Sequence, residues 1–167
     1  MIGPADPKDA GWIARLWNDV IAHTQITFTT RRKAVSEIET LIAQGTVLTL
    51  PDQGGFATYG PFRAGPGYAA TTEHTIHLAP KARGRGQGRA LLSALEDHLH
   101  AAGHHVMVAG ISSANPGAVA FHRALGFTQV AHMPEVGRKD GVWLDLILMQ
   151  KRLGATVSAN AKTDDSV

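Results

Sequence analysis

A glycine-rich, basic segment between a strand pattern and a long amphipathic helix pattern restricts the fold more than any other part of this chain. The segment consists of Arg83, Gly84, Arg85, Gly86, Gln87, Gly88 and Arg89. Its glycines let the backbone approach a ligand closely, and the helix start presents unpaired N–H groups at the positive end of the helix dipole. This combination indicates a pyrophosphate site at a strand-to-helix junction. A flexible basic turn without a ligand is the alternative interpretation.

Two better-known phosphate-binding motifs do not fit this segment. A Walker A loop needs Gly-Lys followed by Ser or Thr, and the chain has no such sequence. A dinucleotide-binding fingerprint that begins at Gly84 would need glycine at position 89, where the chain has Arg89. Both nucleotide-binding interpretations therefore fail on residue identity.

Hydrophobic periodicity predicts the order β-α-α-β-β-β-α-β-α-β-β. The expected strands are 2–5, 46–50, 56–59, 71–79, 105–111, 127–133 and 142–149, and the expected helices are 7–22, 31–44, 86–102 and 116–125. In the second helix, Val35, Ile38, Leu41 and Ile42 are expected to face inward. This order predicts a mixed α/β layer fold with antiparallel pairs and at least one crossover. One domain is expected over residues 1–153, and residues 154–167 are expected to form a disordered C-terminal tail.

Composition excludes several classes of function. The 167 residues are 44% hydrophobic and 18% charged, as in one globular domain, and the net charge of +2 is too small to indicate a nucleic-acid partner. There is no apolar run of membrane-spanning length and no charged-then-apolar leader, so a cytoplasmic protein without a membrane partner is expected. Cysteine is absent, which excludes disulfides and a Cys nucleophile. His74 and His77 fall on opposite faces of a strand and His-Glu-x-x-His is absent, so no metal is predicted.

Two motifs resemble the signatures of the GNAT acetyltransferase superfamily. The glycine-rich segment, read as Arg-x-x-Gly-x-Gly and followed by Ala-Leu-Leu, is similar to its acetyl-CoA signature. Residues 115–127, with Asn first, an apolar helix and a final Leu-Gly-Phe, are similar to its second signature. The resemblance implies acetyl-CoA as cosubstrate, with the loop amides on its pyrophosphate and Asn115 on its pantetheine arm. It also implies that backbone amides of Ile76, His77 and Leu78 polarise the thioester carbonyl.

One branch of the superfamily is more similar still. Tyr-Gly-Pro-Phe-Arg at 59–63, Thr-Glu-His-Thr at 72–75, Phe-His at 121–122 and the segment 136–145 resemble the phosphinothricin and methionine sulfoximine N-acetyltransferases. This resemblance covers residues 2–153. It implies the GNAT fold, a small amino-acid-like amine as acceptor and a homodimer.

Glu73 and His122 are the candidate catalytic residues. A Glu in a strand is, judged alone, more often a solvated charge, but the resemblance implies that Glu73 is the base that accepts a proton from the amine. Partial burial would suit this role because it raises a carboxyl pKa towards neutrality. His122, otherwise an ordinary helix residue, stands where many members have a Tyr acid, which implies that it protonates the leaving thiolate.

Three further residues are candidates for the acceptor site. Arg63 is expected to hold an acceptor carboxylate through a bidentate pair, although an exposed loop arginine is an equal alternative. Phe62 and Trp143 are expected to line the acceptor pocket, although core or interface positions are common for such aromatic residues. Acetylation of a protein N-terminus, a lysine or an aminoglycoside, and a catalytically silent CoA-binding module, stay open as alternative functions.

Overall fold

All eleven predicted elements occur in the predicted order in the computed structural model, which describes residues 1–154. The strands are β1 (Gly3–Pro4), β2 (Val47–Thr49), β3 (Gly55–Pro61), β4 (Thr71–Leu78), β5 (Val106–Ser112), β6 (Thr128–Lys139) and β7 (Val142–Arg152). The helices are α1 (Ala10–His23), α2 (Val35–Ala43), α3 (Gln87–Ala101) and α4 (Pro116–Ala124). The predicted tail lies outside the described residues from position 155 onward. Within the described part, no helix is both long and apolar enough to cross a membrane.

The strands form one seven-stranded sheet with the order β1-β2-β3-β4-β5-β7-β6. Neighbouring strands are antiparallel except β4 and β5, which are parallel and are joined through α3. A parallel pair needs a crossover connection, and here the amphipathic helix after the glycine-rich segment supplies it. The predicted mixed α/β fold with a crossover is confirmed.

Helices cover both faces of the sheet. On α3, Leu91, Leu92, Leu95 and Leu99 are fully buried at helical spacing and pack in one cluster with Ala57 of β3. On α1 and α2, Ile13 and Ile38 pack in a second cluster with Phe56. Because Phe56 and Ala57 are consecutive in a strand, they face opposite sides, which places α3 on one face of the sheet and α1 with α2 on the other.

The second helix begins at Val35, later than the predicted start at Arg31. The Asn18 side chain of α1 holds the backbone of Lys33 through both its N–H (2.8 Å) and its carbonyl (3.0 Å). Glu37 then accepts the Ala34 N–H at 2.8 Å, as in half of a capping box. Residues 31–34 are therefore loop, and Val35, predicted to face inward, is 46% exposed.

The strand β6 continues to Lys139, beyond its predicted end at Met133. Register shifts between Met133 and Gly137 absorb the intervening residues, with Glu135 at a φ of 53°. The turn to β7 is instead made by Asp140 and Gly141, both with positive φ, as a two-residue Asp-Gly hairpin requires. Because β6 is an edge strand, it tolerates the proline and the bulge within it.

The parallel pairing of β4 with β5 covers only the first half of β4. It runs from Thr71 opposite Val106 to His74 opposite Ala109. The second half, 75–78, continues to pair with β3 alone. Backbone groups of a strand point alternately to its two sides, so this half of β4 presents N–H and C=O groups that β5 does not pair.

Candidate active site

A cavity of about 430 Å³ lies where the pairing of β4 with β5 ends. Its walls come from 73–77 of β4, from 109–112 of β5, from α4 and from the loop between α1 and α2. The structure therefore brings Glu73, Ile76, His77, Asn115 and His122, all predicted site residues, to one cavity.

The Glu73 side chain lies against the backbone of β5 at Gly110. A Cβ atom built on Gly110 would lie 2.5 Å from Glu73 Oε1, so only glycine leaves room for the carboxylate in this position. The residue remains exposed towards the cavity, yet burial by the surrounding walls raises the pKa of its carboxyl above the ordinary 4.5. A carboxylate with a raised pKa can accept a proton from a substrate near neutral pH.

His122 is buried in α4 and both of its ring nitrogens have partners. Its Nδ1 lies 2.7 Å from the Ala118 carbonyl, one helical turn earlier, and its Nε2 lies 3.0 Å from Nε2 of His74. Burial lowers the pKa of His122, and burial, more than the neighbouring His122, lowers the pKa of His74 to about 3. His122 therefore faces the cavity as half of an imidazole pair.

The glycine-rich segment forms the entrance of α3. Gly84 and Gly86 have φ values of 71° and 74°, which glycine adopts without strain, and the helix begins at Gln87. Ala90 is the first residue of the helix whose N–H is donated to a carbonyl of the turn before it, that of Gly86. The preceding N–H groups at 87–89 point out of the helix start, as an anion site requires.

Close packing fixes this helix entrance against β4 and α4. A Cβ atom on Gly88 would lie 2.9 Å from a methyl group of Leu78 and 3.4 Å from the ring of Phe121. Arg83 Nε donates to the Leu78 carbonyl at 3.2 Å, which ties the segment to the end of β4. Arg85 and Arg89 are exposed beside the helix start, and the segment lies outside the cavity wall.

Asn115 and His77 each have a structural role in the fold. Asn115 is the N-cap of α4: its Oδ1 accepts the Ala118 N–H at 3.2 Å. The His77 ring packs edge-on against Trp17 and Phe56, at 6.0 and 5.6 Å between ring centres. Burial, and secondarily the charge of Arg83, lowers its pKa to about 4, so the ring is neutral near pH 7. His77 therefore contributes an uncharged aromatic wall.

The α1–α2 loop (residues 24–34) forms the side of the cavity opposite α4, with Ile26, Thr27, Phe28 and Thr29 in the wall. Ser112 Oγ donates to the Gln25 carbonyl at 2.7 Å. Lys139, only 4% exposed, donates from Nζ to the carbonyls of Ile21 (2.6 Å) and Thr27 (3.2 Å). Anchors from β5 and β6 thus fix a loop that has no regular structure of its own.

Phe28 occupies a gap that glycine leaves in β6. A Cβ atom built on Gly137 would lie 2.5 Å from two atoms of the Phe28 ring. The ring therefore rests on the backbone of β6 while the same residue borders the cavity. The pair Phe28 and Gly137 sets the depth of the cavity at this side.

Phe62, Arg63 and Trp143 do not border the cavity of their own chain. The loop after β3 carries Phe62 and Arg63 past the start of β4, where Arg63 borders a second hollow with Tyr59 and His104. Trp143 lies at the turn end of the β6–β7 hairpin, 55% exposed, with the Arg138 guanidinium 5.0 Å from its ring centre. Within one chain, these three residues therefore do not line the cavity that contains Glu73. Among residues 1–154, no three His, Cys, Asp or Glu side chains group as a metal site would require.

Sequence reasoning did not identify several residues of the cavity. Gly110 had a signal, because a glycine inside a buried strand pattern indicates a close approach of another group. His74 was considered only as a metal ligand, and its contact with His122 spans 48 positions of the chain. The α1–α2 loop carries Ile-Thr-Phe-Thr between two helices, and such apolar residues in a connection were a usable sign of a structured loop.

Known acetyltransferases match this chain over most of its length. The chain is 38% identical, over 94% of its own length and 96% of the relative's, to the L-methionine sulfoximine/L-methionine sulfone acetyltransferase of Salmonella typhimurium. It is 32% identical, over 91% and 95% of the two lengths, to the phosphinothricin N-acetyltransferase of Streptomyces coelicolor. The solved structure of YncA from Salmonella typhimurium with its cofactor acetyl-CoA matches with a TM-score of 0.87 and 35% identity, over 97% of this chain and 98% of that one.

The family model of the Acetyltransferase (GNAT) family matches residues 5–127. This match spans α1, the glycine-rich entrance of α3, α4 and every residue of the cavity wall except Leu146 of β7. The resemblance and the fold predicted from the sequence motifs are therefore confirmed, and this chain belongs to the Acetyltransferase (GNAT) family.

Proposed function

We propose that this acetyltransferase transfers the acetyl group of acetyl-CoA directly to the amine of a small amino-acid-like acceptor, of the methionine sulfoximine, methionine sulfone or phosphinothricin type. The observation that carries the proposal is the Glu73 carboxylate, whose pKa is raised by burial, in the wall of a cavity of about 430 Å³. A cavity of this size suits a small molecule rather than a folded protein. The activities named for the relatives support the acceptor class.

The described residues fit acetyl-CoA at two positions. The N–H groups at 87–89 and the exposed Arg85 would hold the pyrophosphate at the entrance of α3. The main chain of Ile76 and Leu78 faces the open edge of β4 and would hold the extended arm, with Asn115 across the cavity, whereas the main chain of His77 faces β3. When bound there, acetyl-CoA supplies an activated acetyl carbonyl as a thioester.

Glu73 would prepare the acceptor for attack. An α-amine is largely protonated at neutral pH and must lose a proton before it becomes a nucleophile. The carboxylate accepts that proton, directly or through water, and its raised pKa brings it nearer to the pKa of the amine. His122, on the opposite wall, would supply the proton that the departing sulfur takes up.

A homodimer is part of the proposal. Val130, Met133, Val136, Val142 and Trp143 are each more than 40% exposed on the β6–β7 hairpin, whose strand β6 is a sheet edge. A second copy of the chain would cover these side chains. Sedimentation should give twice the 17.7 kDa chain mass, and Val136→Lys should shift it towards one chain. The cytoplasmic location stays a prediction.

An acceptor screen tests the activity. Purified protein with acetyl-CoA should release free CoA when methionine sulfoximine, methionine sulfone or phosphinothricin is added, and mass spectrometry should find the N-acetylated acceptor. Glu73→Gln is the matched control, because it keeps the shape of the side chain and removes the base. Tight binding of CoA without release on these amines would contradict the proposal and favour a catalytically silent module. Faster release with peptides or aminoglycosides would favour the alternative acceptor classes.

A further inference from the structure

The rings of His74 and His122 form a chain of three short contacts between two backbone carbonyls. His74 Nδ1 lies 2.8 Å from the Val108 carbonyl of β5. The two Nε2 atoms are 3.0 Å apart, and His122 Nδ1 lies 2.7 Å from the Ala118 carbonyl of α4. The chain therefore links the strand that carries Glu73 to β5 on one side and to α4 on the other.

The three contacts between the rings and the carbonyls need more protons than two neutral rings carry. A carbonyl oxygen only accepts, so each outer contact needs a proton on Nδ1, and the central contact needs one between the two Nε2 atoms. Three contacts thus require three protons, whereas two neutral imidazoles carry two. The neutral pair is one proton short, and a single added proton would complete all three hydrogen bonds.

The apolar environment of the two rings makes the protonated form of the pair unfavourable. Both rings pack against Phe127, at 5.7 Å from His74 and 5.0 Å from His122 between ring centres, and Phe121 packs in an edge arrangement against His122. Among the described residues, the groups that shift the pKa of the two rings include no acidic side chain. Glu73 follows the alternation of β4 to the other face, and Lys151, beyond Phe127, pairs with Glu96. Burial consequently lowers the pKa of both rings.

We propose that His74 and His122 act as one proton-carrying pair in acetyl transfer, and that His74 is the positioning residue that orients His122 and shares its proton. The inference rests on the proposed function. Glu73 takes the first proton, from the ammonium form of the acceptor. As the neutral amine nitrogen then bonds to the acetyl carbon and the carbon–sulfur bond breaks, the pair accepts the second proton that the nitrogen loses. It then passes the same proton to the sulfur, which leaves as a thiol, so the pair ends the cycle neutral.

Because the proton is shared between the two Nε2 atoms, His122 can act as a proton donor although both of its ring nitrogens have partners. Its Nδ1 stays on the Ala118 carbonyl, and the mobile proton occupies the central link, at the edge where both rings border the cavity. An imidazole whose pKa is lowered by burial gives up an added proton readily, as a donor to a departing thiolate must. His74 keeps the central link short because its own Nδ1 is fixed by β5.

The variant His74→Gln tests the role in catalysis. The amide N–H of the glutamine would donate to His122 Nε2 and so keep His122 oriented. Because the amide does not release this proton, the pair would no longer be able to accept an added one. The turnover number should fall at least tenfold, towards the 10²–10⁴ range typical of acid–base groups. The KM for acetyl-CoA should stay within about twofold, and the pH dependence of turnover should change shape. The control His100→Asn, an exposed histidine of α3, should leave both constants unchanged.

Nitrogen NMR of the imidazoles tests the pair without substrates, and so independently of the acceptor. Because two protons are distributed over three links, both Nε2 atoms should show signals intermediate between protonated and bare nitrogen. In His74→Gln, His122 should become a fixed Nδ1–H tautomer with a bare Nε2. Fixed tautomers in the unchanged protein, or a His74→Gln variant with the original turnover and pH profile, would overturn the inference. A protein with averaged signals but no activity on any amine would instead count against the proposed function.

Discussion

The Glu73 carboxylate rests on the backbone of Gly110, with no room for a methyl group between them. The strand pairing explains the contact: Glu73 stands opposite Val108 on β5, two positions before the glycine on the same strand. A glycine on a neighbouring strand thus sets where the proposed base can lie.

Gly110→Ala should therefore displace the carboxylate and lower turnover by about tenfold to a hundredfold, because catalysis is sensitive to displacements of about 1 Å. Affinity for CoA should hardly change, since the cofactor's proposed contacts lie elsewhere. Steady-state kinetics and CoA binding by calorimetry measure both effects. Gly60→Ala is the control, because a Cβ atom there meets nothing within 4 Å. Equal losses in the two variants would show that the contact with Glu73 is not responsible.

The pH dependence of turnover should carry the raised pKa of Glu73. The base works only when it is ionised, so the turnover number at saturating acceptor should decline as the pH falls through the folded pKa. Because burial raises that pKa, the midpoint should lie above the ordinary carboxyl value of 4.5. Glu73→Gln should lose this acid limb. A midpoint at or below 4.5 would remove Glu73 as the group that titrates.

Gly137→Ala should change the choice of acceptor. The added methyl group collides with the Phe28 ring, which has to move towards the cavity and reduce the space there. The KM for the bulkier of two acceptors should rise more than the KM for the smaller, by about fivefold or more, since a methylene-sized change is worth about 1–3 kcal/mol in such sites. Competition assays with paired acceptors measure the ratio. An unchanged ratio would mean that Phe28 does not limit acceptor size.

Lys139→Met should weaken the anchoring of the α1–α2 loop. The variant keeps a similar length but leaves the carbonyls of Ile21 and Thr27 without their donor, at a cost of about 1–3 kcal/mol in the free energy of unfolding. Urea denaturation measures this cost. In Lys8→Met, where the side chain is 80% exposed, the change should stay within about 0.5 kcal/mol. Similar values for both variants would contradict the anchoring role.

His77 should make the fold less stable in mild acid. In the unfolded chain the ring takes up a proton as the pH falls through 6.5, whereas burial delays this in the folded state to about pH 4. The contribution of the neutral His77 ring to the free energy of unfolding is thus fully present above pH 6.5 and is lost as the pH falls towards 4. His77→Phe keeps the contact with Trp17 and removes the proton site, so between pH 7 and 4.5 it should lose about 2 kcal/mol less than the original protein. Parallel urea curves at the two pH values decide this.

The sequence predicts the element order well because leucine spacing in α3 and glycine stops are local signals. It fails at residues 31–34, since the hydrogen bonds that keep them out of α2 come from Asn18 on another helix. The same limit applies to the cavity. Glu73, Asn115 and His122 belong to motifs that a reader can see, whereas the contacts of Gly110, Gly137 and Lys139 join positions far apart in the chain.

Half of β4 presents its main chain, rather than its side chains, to the space where β5 has departed. A ligand held in this way makes few demands of its own on residue type, so the side chains at 75–78 can serve the packing of the protein without loss of the backbone contacts. This accounts for a histidine at position 77 that serves the packing of α1 and β3 instead of the ligand. Proline is the exception to that freedom, because it deletes the amide hydrogen itself.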